Sequence, residues 1–191
     1  MPITEALRDA RRLSGKNLRD IATLSGVGVP NLSAIENGRR DPKTSTTERI
    51  ASALGLEPIL VPLGGRCTVA AAAAAIRDAD RVGDDERAYR SFIQLNNDLA
   101  SADGVDKVLL SASQPASITP EWDAALAGLV EWHLHEAKLP APRWTSQIRG
   151  DRSWRWAPWP AIRVVAARPD HVPGPLAERG IWIEDGELES A

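Results

Sequence analysis

From Ile3 to Leu63 the apolar residues recur at helical spacing and are interrupted at short, regular intervals by glycine and proline. Ile3, Leu7, Ala10 and Leu13 share one face while Arg8, Arg11 and Arg12 point elsewhere, which predicts an amphipathic helix ending near Gly15. Asn17 is placed to cap a second helix whose apolar face is Leu18, Ile21 and Ala22, with Asp20 as the reciprocal arm of a capping box. Ser25-Gly26-Val27-Gly28 breaks it, and a third helix begins at Val29, with Pro30 tolerated in the first turn, Leu32 and Ile35 inward, and Asn37-Gly38 at its end. After Asp41-Pro42, caps among Thr44 to Thr47 open a fourth helix with Ile50, Ala53 and Leu54 as its core face, closed by Gly55. Leu56 to Leu63 is a short apolar exit, and Gly64-Gly65 marks a boundary.

Beyond it the helical pattern resumes. The alanine run Ala70 to Ala75 predicts a helix over about Thr68 to Val82, since alanine has the highest helix propensity. Asp84-Asp85-Glu86 opens a further helix carrying Tyr89, Phe92, Ile93 and Leu95, where acidic residues complement the positive end of the helix dipole. A short helix is expected over Asp106 to Ala112. Thr119-Pro120-Glu121 then launches Trp122, Leu126, Leu129, Val130 and His133 along one face to about Ala137. From Pro140 the texture changes: Pro140, Pro142, Pro158, Pro160, Pro169, Pro173 and Pro175 interrupt every run, while Trp144, Trp154, Trp156, Trp159 and Trp182 concentrate there. Disordered chains are poor in aromatics, so this segment is expected to wrap the preceding helices or a partner. The divisions read 1–65, 66–140 and 141–191 in a mostly α protein.

Charge sharpens this division. The 191 residues carry a formal charge of −3, which excludes a uniformly basic coat, yet residues 1–65 hold nine Lys/Arg against seven Asp/Glu. Residues 66–140 hold seven against twelve, and residues 141–191 seven of each. The one positive segment is the one with the compact four-helix pattern. Cys67 is the single cysteine, so an intrachain disulfide framework is excluded and a reducing cytoplasm is the expected compartment. No signal-peptide core or membrane-length apolar run is present. His133 and His135, two apart on a helix, face different sides, and His171 is distant, so no metal site is expected. The clusters Asp84-Asp85-Glu86 and Glu184-Asp185 read as a helix start and a solvated tail. With neither a phosphate-cradling glycine loop nor a nucleophile elbow, no catalytic residue and no cofactor are expected, and the protein is read as not an enzyme.

The run Ile21 to Pro42, IATLSGVGVPNLSAIENGRRDP, resembles the Cro/CI-type (Xre) helix-turn-helix family, and residues 3–60 follow that family's helix order. The resemblance rests on Ala22, Gly26 at the turn, Val27 as core, Leu32 and Ile35 under the third helix, and the closing Glu36-Asn37-Gly38. It implies a lambda-repressor-like bundle whose third helix enters the major groove of double-stranded DNA. On that pattern Val29, Pro30, Asn31, Ser33 and Ala34 face the bases: Asn31 could pair with adenine, Ser33 with several groups, and Val29 and Ala34 with thymine methyls. So few polar groups leave part of the sequence preference to DNA shape. Asn17, Arg19, Asn37, Arg39, Arg40 and Lys43 lie around the helix ends as candidate phosphate contacts. Leu18 stands where family members often carry glutamine, and Lys16 where they carry a core leucine.

The stretches Ala125 to Thr145 and Pro175 to Ala191 are similar to Xre-type proteins paired with nucleotidyltransferase-like toxins of the abortive-infection kind. That resemblance implies an autoregulating antitoxin that represses its own operon from the nucleoid as a homodimer and binds its toxin. Trp144, Trp154, Trp156, Trp159, Ile181, Trp182, Ile183 and Leu188 are then the expected partner contacts, set among acids that suit a basic partner. A free-standing regulator whose second domain dimerises or senses a ligand, and a purely protein-binding adaptor, are the other readings.

Overall fold

The computed structural model describes residues 3–58, 60–159 and 168–189; Ile59 in the expected exit and Pro160 in the proline-rich segment lie outside the described residues. The chain divides into two compact units, Met1–Pro62 and Leu63–Ala191.

The first unit is a bundle of α1 (Ile3–Leu13), α2 (Leu18–Ser25), α3 (Val29–Glu36) and α4 (Thr44–Ala53). Its core is aliphatic: Leu7, Ile21, Val27, Leu32, Ile35, Ile50 and Ala51 are buried, with no aromatic side chain among them. A fully buried Ile or Leu stabilises such a bundle by about 1.5–3 kcal/mol, so these few side chains dominate its stability. Two expectations need correction. In α1 only Leu7 reaches the core, and Leu13, at the helix end, is 84% exposed. In α4 the buried set is Thr47, Ile50 and Ala51, with Ala53 and Leu54 half-buried, because the buried stretch of the same face lies three residues, about one turn, earlier along the helix.

The second unit contains α5 (Val69–Asp80), α6 (Asp85–Ser101), α7 (Gly104–Ser111) and α8 (Pro120–Glu136). Side-chain caps start three of these: Thr68 Oγ1 accepts from the Ala71 amide at 3.2 Å, Asp84 Oδ1 from Arg87 at 3.0 Å and Thr119 Oγ1 from Trp122 at 3.3 Å. Each satisfies an amide that a helix N-terminus leaves without an intrahelical partner. α8 was expected to bury one face; Trp122, Ala124 to Val130, His133 and Leu134 are all buried, which makes it the central helix. Small residues permit this: the position a Cβ would take on Gly128 lies 2.8 Å from Leu176 Cδ2, so only glycine lets the chain after Pro173 lie so close.

The proline-rich segment is less irregular than expected. It forms α9 (Arg143–Gln147), a 3-10 turn (Pro169–His171), α10 (Gly174–Ala177) and α11 (Asp185–Glu189), with one parallel bridge between Trp156 and Ile181. Arg179 holds it down. Its guanidinium donates to Ile148 O at 3.2 Å, Pro175 O at 2.8 Å, Thr145 O at 3.0 Å and Glu131 Oε2 at 2.6 Å, joining α8 to both ends of the segment. Gly150 and Gly180 bring the two backbones together beside it, and a Cβ on either would collide with the carbonyl of Arg179 or Asp151 respectively. All seven tryptophans, the one tyrosine and the one phenylalanine belong to this unit. Among the described residues no helix is long and apolar enough to cross a membrane.

Candidate nucleic-acid interface

The geometry of α2 and α3 follows from a few local contacts. Asn17 Oδ1 accepts from the Arg19 and Asp20 amides at 2.8 and 3.0 Å, and Asp20 Oδ2 accepts from the Asn17 amide at 2.9 Å, which completes the expected capping box. Gly26 ends α2 in the left-handed region at φ +66°. Buried Ser25 fixes the turn: its hydroxyl donates to Ile21 O at 2.6 Å and accepts from the Val27 amide at 3.3 Å. α3 then starts without a side-chain cap, with Pro30 in its first turn.

Leu32 and Ile35 seat α3 on the core, and Glu36 adds a buried ion pair. Arg11 Nε and Nη2 donate to Glu36 Oε1 and Oε2, both at 2.8 Å, while Arg11 Nη1 donates to Lys16 O at 3.2 Å. The Glu36 hydrogen bonds raise the already high pKa of Arg11. This fork anchors the end of α3 to α1 and fixes the presentation of its outer face.

Opposite the Leu32/Ile35 stripe lie Pro30 and Ala34, flanked by Ser33 and Asn31, with Val29 at the edge. Pro30 and Asn31 are exposed and the other three half-buried. Asn31 is engaged: Arg40 Nη1 donates to its Oδ1 at 2.8 Å. Asn37 turns its amide nitrogen back onto α3, donating to Ser33 O at 2.8 Å and Ser33 Oγ at 3.4 Å. The group expected to reach a phosphate is therefore used within the helix end.

Arg19, Arg39, Arg40 and Lys43 are exposed, and among the described residues none is in an ion pair. Arg40 and Lys43 border a cleft of about 270 Å³ against Gly26, Gly28 and Asn31. Arg49 from α4 completes its basic lining, with Nη1 3.7 Å from where a Gly26 Cβ would stand. Arg49 was missed in the sequence, although Lys43, Thr46 and Arg49 recur every three residues, the spacing of one helical face. The cleft offers cationic donors beside a helix start, an arrangement suited to an anion.

Residues 3–63 match the family described as "Helix-turn-helix domain". The first unit is an Xre-like helix-turn-helix domain. Among curated proteins, the HTH-type transcriptional regulator DdrOP3 of Deinococcus deserti is 39% identical over 56 residues, 29% of this chain and 43% of that protein. The chain thus spans less than half the length of that relative. No solved structure matches the chain.

The expected partner contacts divide in the second unit. Ile181, Ile183 and Leu188 are buried in its core, and so is Trp144, whose Nε1 donates to Ser111 O at 3.0 Å. These four are buried in intrachain packing, a correction to their expected place as partner contacts. Trp154, Trp156, Trp159 and Trp182 are half-buried. Trp156 meets Trp122 edge-on at 4.9 Å, Trp159 lies 5.5 Å from Tyr89, and Arg155 sits 5.2 Å over the Trp182 ring. Cys67 is chemically quiet, because burial and neighbouring Asp98 push its thiol up to about 12.

Proposed function

We propose that the protein is a DNA-binding transcriptional regulator that reads double-stranded operator DNA with α3. The observation that carries this reading is the group of exposed cations Arg19, Arg39, Arg40, Lys43 and Arg49, none in an ion pair among the described residues, around a helix pair of helix-turn-helix geometry. The name of the relative agrees with it. The test is titration of the full chain against the DNA upstream of its own gene at several salt concentrations. Affinity falls with a log–log slope of about −0.9 per phosphate neutralised; a flat dependence overturns the reading.

Within it, the protein is an autoregulating antitoxin, a homodimer on paired half-sites in the cytoplasm, with the second unit binding a toxin. The support is that the two stretches resembling toxin-paired proteins pack on each other through Gly128 and Leu176 and through Arg179 and Glu131. The toxin contact then falls to the half-buried Trp154, Trp159 and Trp182 with acids such as Glu178. Co-expression with the neighbouring gene product tests it, and absence of both a complex and protection removes it. A mostly apolar cleft of about 350 Å³ between α5 and α6, with Arg87 and Arg90 at its edge, favours the alternative of a free-standing, ligand-sensing regulator. A small molecule that shifts operator affinity would decide for that alternative.

A further inference from the structure

The outer face of α3 is poor in hydrogen-bonding groups. Pro30, Val29 and Ala34 bring no donor or acceptor in their side chains, and the Ser33 hydroxyl lies against Asn37 Nδ2 at 3.4 Å. Asn31 is the one amide on that face, and its behaviour depends on which of its two ends is free. An unconstrained asparagine pairs with adenine through both ends: Oδ1 accepts from N6 while Nδ2 donates to N7. Here Oδ1 is engaged. Arg40 Nη1 donates to it at 2.8 Å from the loop beyond Gly38. That loop is fixed by its own backbone, with the Gly38 amide donating to Ile35 O at 2.9 Å and the Arg39 amide to Ala34 O at 2.8 Å. The backbone just before Arg40 is thereby held against the end of α3.

A guanidinium on Oδ1 sets N–H groups and a positive charge beside the acceptor that the N6 amino group of adenine would use, which disfavours that donor. The pair is rich in donors, Asn31 Nδ2 and the other N–H groups of Arg40, against one remaining acceptor site on Oδ1. Guanine presents two acceptors, N7 and O6, on its major-groove edge and no donor. Arg40, Lys43 and Arg49 line the same cleft, and of the three Arg40 is hydrogen-bonded to Asn31 on the outer face of α3.

We propose that Arg40 is a specificity-setting positioning residue, which by holding Asn31 Oδ1 and setting its charge beside it biases the pair towards donation, so that it selects guanine over adenine in the operator. This rests on the regulator reading above. The experiment selects preferred sites for the full chain from a randomised duplex library, then measures competition between duplexes differing at single positions. Wild type, Arg40→Ala, Asn31→Ala and the double variant are compared; both residues are exposed, and circular dichroism confirms that each variant folds.

The position read by Asn31 is the one whose preference Asn31→Ala erases. There the wild type prefers guanine to adenine, Arg40→Ala lowers that ratio at least about fivefold, the lower end of what a bidentate contact supplies, and the double variant discriminates no worse than Asn31→Ala. A wild-type preference for adenine there overturns the proposal. So does an Arg40→Ala variant that weakens all sequences alike and lowers the salt slope by about one, the signature of a phosphate contact alone. Salt-dependent duplex binding in which Asn31→Ala erases no base preference overturns this proposal and leaves the regulator reading standing, whereas absence of duplex binding by the wild type removes that reading itself.

Discussion

His133 lies on α8, 8% exposed, with Nε2 2.9 Å from Asn96 Oδ1, while Asn96 Nδ2 donates to Leu188 O at 2.7 Å. Burial, helped by the charge of Lys107, lowers its pKa from 6.5 to about 4, so the imidazole is neutral in the fold. An unfolded chain binds the proton between those values and the folded one does not, so this contribution is complete above about pH 6.5 and is lost as pH falls towards 4. The loss is on the order of 3 kcal/mol. Urea unfolding of wild type and His133→Gln from pH 7 to 4 should show the stability gap between them closing as pH falls; a constant gap would count against it. Glu36 offers a second residue-level test. Glu36→Ala strands the Arg11 guanidinium and should cost about 3 kcal/mol, seen as lost hydrogen-exchange protection in α1 and α3. Neither partner choice was legible in the sequence. Leu32 and Ile35 declare themselves by spacing, but Arg11 and Glu36 are 25 positions apart and look like any surface charges until the fold joins them.

Among elements, those built from local rules were legible and those built from distant contacts were not. The Asn17 capping box, the Gly26 turn, the Pro30 start and the Thr119 cap all use neighbours within a few residues, and their positions could be read directly. The central place of α8 could not, because Ala124, Ala125, Ala127 and Gly128 are small rather than conspicuously apolar, and their burial depends on a chain segment that returns some fifty residues later. The same return buries Ile181, Ile183 and Leu188, which in the sequence read as contacts for a partner. The interlock at Gly150 and Gly180 leaves no room for a side chain at either position. Gly180 sits at φ +74°, and a methyl there also collides with the Asp151 carbonyl. Gly180→Ala should therefore destabilise the second unit by about 3 kcal/mol or more, lowering its calorimetric midpoint by roughly 10 °C. An unchanged midpoint would show that the two backbones separate easily.

At the scale of the whole molecule, each unit encloses its own core, an aliphatic one in Met1–Pro62 and a mixed aromatic one in Leu63–Ala191. Two cores imply two unfolding events. Ile35→Ala, which removes a buried side chain from the smaller core at a cost of about 2–5 kcal/mol, should strip exchange protection from α1 to α4 and leave α5 to α8 protected. Coordinated loss in both would refute independent cores. The unequal distribution of aromatic residues has a practical consequence for experiment. The first unit contains no tryptophan, tyrosine or phenylalanine, so it is optically silent above the peptide band, and intrinsic fluorescence of this protein reports on the second unit alone. Operator binding confined to the first unit would leave the emission spectrum unmoved, and any shift on adding DNA would be a direct, label-free signal that the event had been transmitted to the other half of the chain.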